Sequence, residues 1–484
     1  MAAWLGAVLL SYPWTASANG RYPRAQRLIE DPRDPAHLVL AATYGLVTTR
    51  DRGKNWYHIC EASFSRVEGY VGDPLFDFAS DGTMLVGVQA WLNRSADEGC
   101  SWVTTIGESG TEEIVDFTVS KTEPRRVLSL RSATEDGSIV VRLVASNDDG
   151  RTFEPAGSPL PVYTAFTVDV APSDPTRIYA TGLSRSNAGY LLSSSDGGRT
   201  WESRAIPDTS FDAVPYLAII HPRDPNKIFL RIDGRLYSDV DGRYHAHDAV
   251  LYSEDGGNAW TDIHRAEAKA LGFALSPDGS ELLIGYGDDG VFAVDEAAMG
   301  VYASATERFA FTRRLDGSIT CLSWTDTGIY VCTPQSKAGR ELAFAPRTNF
   351  GPNGADLEPL LRLPEVRGPL ACCDAKVARV CRDSWQAACL VFQACEDASR
   401  PDECGRDGGQ GGEAGAPSDA AGPTADAGTV SVSAGSCGCR MGALRRPDDV
   451  SPWWLGYASA WALVRARSMK ARRRKRMGRA PPAS

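Results

Sequence analysis

No apolar run in this chain reaches the twenty or so residues that a membrane-spanning helix requires. The two longest, Ala2 to Trp14 and Trp453 to Val464, are each about a dozen residues. Basic charge is also short, with 51 Lys and Arg against 61 Asp and Glu, a net −10. Nine of those bases lie between Arg465 and Arg479, so the rest of the chain stands at −19. A body so acidic opposes binding to DNA or RNA and favours solubility or cationic partners. Residues 370–404 hold six cysteines but no histidine and no C-x-x-C spacing, which argues against a zinc site.

What is present is repetition. One eight-residue pattern occurs as Thr49-x-Asp51-x-Gly53-x-x-Trp56, and again at Ser95/Asp97/Gly99/Trp102 and Ser146/Asp148/Gly150/Phe153. Two more copies follow at Ser194/Asp196/Gly198/Trp201 and Ser253/Asp255/Gly257/Trp260. Steps of 46, 51, 48 and 59 residues separate the Asp positions. That period is too long for a repeat of paired helices and suits a four-stranded propeller blade. Ser, Thr and Asp bond nearby backbone in turns, and Gly supplies positive φ. The aromatic then opens a strand. Pro-x-Asp-Pro turns precede the boxes at Pro32–Pro35, Pro172–Pro175 and Pro222–Pro225. Two further periods, from Leu271 to Arg314 and from Ile319 to about Leu363, keep the strand rhythm without the box. The expected fold is all-β: a seven-bladed β-propeller of four-stranded blades over 20–365.

These boxes and turns resemble the bacterial-neuraminidase or Asp-box repeats of sialidases, sortilin-type receptors, xyloglucan-cleaving glycosidases and photosystem II assembly factors. The resemblance implies that the box sits between the third and fourth strands, away from the usual ligand face. It implies no single activity. A sialidase is expected to carry an Arg-Ile-Pro motif near its start, where this chain has Arg21-Tyr-Pro-Arg24. No catalytic residue is assigned.

The remaining segments are read as follows. Residues 1–18 resemble a secretory signal ending in Ala16-Ser-Ala18, without a basic residue ahead of the apolar run. Cys321 and Cys332 flank the turn Thr325–Gly328 and would face each other across a hairpin, as a disulfide. Cys60 and Cys100 are a weaker candidate pair. Cys372, Cys373, Cys381, Cys389, Cys395 and Cys404 suggest a disulfide-stapled helical hairpin over 370–404, with helices at Ala375–Val380 and Ser384–Gln393. Residues 405–436 read as a disordered Gly/Ala/Ser linker. The tail 437–484 has Cys437-Gly-Cys439, the apolar piece and the basic cluster. It resembles a myxobacterial C-terminal sorting tag, implying a secreted or surface-displayed protein, anchored in the membrane if the tail is retained, and engagement of the sorting machinery.

Candidate ligand residues are those expected at blade ends: Tyr163 and Tyr216 ahead of first strands, and Tyr44, Trp91, Arg185 and Tyr286 after second strands. The fifth period carries about ten extra residues. There Asp239, Asp241, His245 and His247 offer a weak calcium site, lacking the terminal Glu of a full calcium loop; no other cofactor is expected. The function expected is that of a monomeric binding or scaffold module for a glycan or extracellular protein. The alternatives are a sialidase-like glycoside hydrolase and an assembly factor for another exported protein.

Overall fold

The computed structural model describes residues 24–65, 73–106, 112–123, 125–346, 357–372 and 376–395. The leader 1–18, Cys373, Cys404, the linker 405–436 and the tail 437–484 lie outside the described residues. Seven antiparallel sheets follow one another along the chain, at 25–59, 75–106, 112–155, 164–205, 213–266, 269–316 and 321–361. Each has four strands in sequence order, the first innermost, and the first strands of successive blades touch in a closed ring.

The middle strands are packed on both faces by neighbouring blades. They therefore read as unbroken apolar runs, such as Leu38–Ala42 and Ile178–Leu183, rather than as alternations. First strands carry a different mark. The register of blades 1, 3, 4, 5 and 6 slips by one residue at Gln26, Val115, Phe166, Ala218 and Leu271. Such a bulge bends and twists a strand and re-aims a side chain.

The five repeated turns lie between third and fourth strands and share one bonding scheme. In blade 4 the Ser194 hydroxyl donates to Asp196 Oδ1 at 2.8 Å and accepts the Gly198 N–H at 2.8 Å. Asp196 in turn accepts the N–H and hydroxyl of Thr200. Those bonds, Thr200's hydroxyl first, hold the Asp196 carboxyl down at about 2. Glycine is required at Gly198, where φ is +94° and a Cβ would lie 2.6 Å from Leu143 of the preceding blade.

Among the described residues blades 7 and 1 exchange none of their four antiparallel strands, and side chains bridge the seam. Glu30 accepts from Thr325, Thr327 and the Tyr330 hydroxyl, at 2.6–2.9 Å. Buried Glu341 accepts the Ala25 N–H at 2.7 Å, the Tyr44 hydroxyl at 3.1 Å and the Gln335 N–H at 3.1 Å. Burial nonetheless pushes its carboxyl up to about 7. The Trp56 indole donates to the Leu360 carbonyl at 3.0 Å.

The C-terminal cysteine module departs from expectation. It holds one helix, Lys376–Phe392, where a hairpin of two was expected. Nothing in Cys381-Arg-Asp-Ser384 breaks a helix, neither Gly nor Pro. Ahead of it, Val366–Pro369 adds a fifth strand to blade 1, parallel to the fourth. Cys60 and Cys100 do not pair with each other: the structure joins Cys60 to Cys381 and Cys100 to Cys372. The extension runs along the outer edge of blade 1 and so reaches both. Cys389 pairs with Cys395, and Cys321 with Cys332, directly opposite across its hairpin as expected. Trp385 and Phe392 enter the apolar cluster that fills the seam between blades 7 and 1. Four disulfides among the described residues suit an oxidising compartment. Among the described residues no helix is long and apolar enough to cross a membrane.

His58 is where this extension docks. Its Nε2–H donates to the Tyr44 carbonyl at 2.8 Å, and Trp385 and Phe392 lie against its ring. Burial lowers its pKa from 6.5 to about 4. The unfolded chain therefore takes up this proton first. No contribution arises above pH 6.5, and stability is lost as pH falls from 6.5 to about 4. The loss should approach roughly 3 kcal/mol. Denaturant unfolding of wild type and His58→Gln across pH 4–8 should show the gap closing in that window only. Removing the Cys100–Cys372 bond by a double Ser substitution should cost about 2–5 kcal/mol in the same assay, as it closes a long loop.

Candidate functional site

Blades 4, 5 and 6 carry a band of aromatic and basic side chains on the face where second strands turn into third strands. Arg185, in the turn after the second strand of blade 4, lies 4.9 Å over the ring of Tyr163. Tyr163 is 37% exposed, just before the first strand of that blade. The bulged Phe166 meets Tyr216 at 5.3 Å across the blade boundary. Arg231, from the second strand of blade 5, sits 5.5 Å from the other side of this group, against Tyr216. Such contacts contribute about 0.5–2 kcal/mol each and hold cations over aromatic faces.

A four-charge network supports the band. Lys269 is fully buried, with Nζ 2.7 Å from Asp248 and 2.5 Å from Asp233. Arg231 bonds the same two carboxylates at 3.0 and 2.8 Å. Asp248 also accepts the N–H groups of Gly234 and Ala270, at 3.2 and 2.9 Å. Two cations thus meet two anions, and Asp248 is further bonded to backbone. Burial opposes the Arg231 charge, but Asp248 and Asp233 outweigh it and raise its pKa.

Beside the network a cleft of about 310 Å³ opens under the crossover from blade 4 to blade 5. Ile232, Ala249 and Leu251 form its floor and Trp260 a wall, with Asp208 and Arg235 at the mouth.

Of the six expected ligand residues, the structure brings Arg185 against Tyr163 and sets Tyr216 against Phe166 and Arg231. Tyr216 lies inside the first strand of blade 5, Ala213–Ile220, not ahead of it. The other three stand elsewhere. Tyr286 is within the second strand of blade 6 and fully buried, its hydroxyl 2.9 Å from His264 Nδ1. Tyr44 is covered by Phe392, ring centroids 5.1 Å apart, and bonded to Glu341. Trp91 opens the third strand of blade 2, half-buried. In the fifth-blade insertion Asp241 and His245 bond each other at 2.7 Å. Asp239 and His247 do not join them: among the described residues no three His, Cys, Asp or Glu side chains are placed to hold a metal ion.

Sequence reasoning missed Phe166, Arg231, Asp233, Asp248 and Lys269. Phe166 depends on a bulge, and the charges are separated by up to 38 residues, so no local signal marks them. Breaking a buried pair leaves an uncompensated charge. Lys269→Ala should therefore destabilise by about 3–5 kcal/mol in denaturant unfolding, and far more than Lys337→Ala, whose pair with Asp288 is partly exposed.

No protein-family model and no curated protein matches the chain. Among solved structures it is similar to a GH74 enzyme of Niastella koreensis, at 15% identity over 69% of this chain and a TM-score of 0.30. The match spans 62% of that enzyme's length. It is similar to an oligogalacturonate lyase of Vibrio parahaemolyticus, at 11% identity, 65% of this chain, 87% of that one and a TM-score of 0.44. It is also similar to YCF48 of Cyanidioschyzon merolae, at 15% identity, 55% of this chain, 92% of that one and a TM-score of 0.32. At these identities the likeness concerns the fold alone.

Proposed function

We propose that this chain is an exported Asp-box propeller, displayed at the cell surface, that binds a glycan or protein ligand on the face of blades 4 to 6. The observation that carries the reading is Arg185 stacked on exposed Tyr163. Arg185 is itself exposed and makes no ion pair among the described residues. A guanidinium held over a ring can meet a carboxylate while the aromatic face meets apolar surface. The disulfides support an oxidising location, and the leader and tail support export.

A glycosidase reading has one observation in its favour. Asp116 and Asp169 lie on the first strands of blades 3 and 4, and burial pushes Asp116 up to about 7 and raises Asp169. Their oxygens are, however, engaged in joining blades. Asp116 accepts the Val168 and Phe117 N–H groups, and Asp169 accepts the Thr118 hydroxyl and the Val170 N–H. The binding reading is therefore preferred.

A glycan array and a chromogenic sialoside separate the two. Wild type should bind acidic glycans, and Tyr163→Ala/Arg185→Ala should bind at least tenfold more weakly without loss of thermal stability. Turnover that disappears in Asp116→Asn would instead establish the hydrolase.

A further inference from the structure

Nine large hydrophobic side chains stand exposed among the described residues, and six of them lie on adjoining segments of blades 5 and 6. These are Phe211, Leu236, Tyr237, Val240, Tyr244 and Val291. Val240 is 99% exposed and Val291 73%. Single exposed hydrophobics are ordinary, but a contiguous group marks an interaction surface.

The group is held rigidly. The second strand of blade 5 runs on to Ser238, turns through residues 239–242 and returns as Arg243–Ala246. Tyr237 and Tyr244 meet across this hairpin at 5.1 Å. Its returning strand is bonded to blade 6, Ala246 N–H to the Ala293 carbonyl at 2.8 Å and Ala293 N–H to the Tyr244 carbonyl at 3.0 Å. At its base Arg235 lies between the rings of Phe211 and Phe292, at 4.9 and 5.8 Å. A surface fixed in this way loses little entropy when it binds.

Its surroundings select the partner. Arg235 and Leu236 also line the cleft walled by Trp260, so patch and cleft form one surface. At about 310 Å³ the cleft is at the low end of ligand pockets, room for one large side chain and not for an oligosaccharide. The exposed aliphatics Leu236, Val240 and Val291 offer a sugar no hydrogen bonds. Charge around the patch is mainly acidic: Asp208 at the cleft mouth, Asp239 and Asp241 at the hairpin tip, and Asp289 before Val291, against Arg243, while Asp288 is paired with Lys337. The cleft arginines Arg235 and Arg265 are already paired with Asp212 and Asp262.

We infer that the blade 5 hairpin and its cleft dock a polypeptide that inserts one aromatic or large aliphatic side chain beside Trp260 and sets flanking Lys or Arg against the acidic rim. This deepens the binding reading above and rests on it. The acidic rim disfavours an anionic lipid surface, the other occupant suited to an apolar tip.

The test uses a displayed library of twelve-residue peptides, selected on the full chain, with the best binder then titrated by fluorescence anisotropy. Enriched peptides should carry an aromatic or Leu flanked by Lys or Arg. Leu236→Ser/Val240→Ser, which alters only exposed side chains, should weaken the best peptide at least tenfold. Asp208→Asn/Asp239→Asn should weaken it several-fold and flatten its salt dependence. No enrichment, enrichment without that signature, or equal binding by the Leu236→Ser/Val240→Ser variant overturns the inference. So does sedimentation with phosphatidylserine vesicles that this variant abolishes. Glycan binding that depends on Tyr163 and Arg185 but survives in this variant, with no peptide selected, overturns the docking inference and leaves the binding reading standing.

Discussion

Everything in this molecule depends on closing a ring of seven sheets whose four antiparallel strands each come from one stretch of chain. Circular sheets are often closed by shared backbone; here, among the described residues, the four antiparallel strands on each blade's main path come from one stretch of chain, Val366–Pro369 joins blade 1 only at its outer edge, and side chains bridge the seam between blades 7 and 1. Glu30 gathers three hydroxyls from blade 7, and Glu341 reaches back to the first described strand. Each is a carboxylate withdrawn from water, tolerable only because several donors meet it. Apolar area does the rest, and the C-terminal helix supplies part of it through Trp385 and Phe392.

This explains why the extension is more than an appendage. Its strand lengthens blade 1, its helix covers the seam, and its two long-range disulfides fasten it to blades 1 and 2. The same arrangement removes Tyr44 from any ligand. The faces of the propeller are consequently unequal: blade 1 is covered, while blades 4 to 6 leave aromatic and basic groups open.

The blade count was legible because it is written locally. A box spans eight residues, its bonds are made within four, and five copies count themselves. The Cys321–Cys332 bond was legible for the same reason, since a hairpin's register follows from its turn. What failed was whatever depends on distant chain. Cys60 lies 321 residues from its partner, and Lys269 bonds carboxylates from the preceding blade. Tyr286 was misplaced by a smaller error: the second strand of blade 6, Glu281–Gly287, extends through it where a loop was expected, and its side chain is buried. The extra residues of blade 5 were found by spacing, but their arrangement could not be. Asp and His drew attention, while the exposed Leu236, Val240 and Tyr244 define what the hairpin presents.

The two long-range disulfides also order events in time. Cys60 and Cys100 belong to the first two blades, and their partners Cys372 and Cys381 follow the last. During synthesis the early thiols have no native partner until all seven blades have been made. They must remain reduced, or be reshuffled, over nearly the whole length of the propeller. Oxidation of this pair of bonds is thus a record that all seven blades have been made and the circle joined, written into the covalent structure by the position of four cysteines.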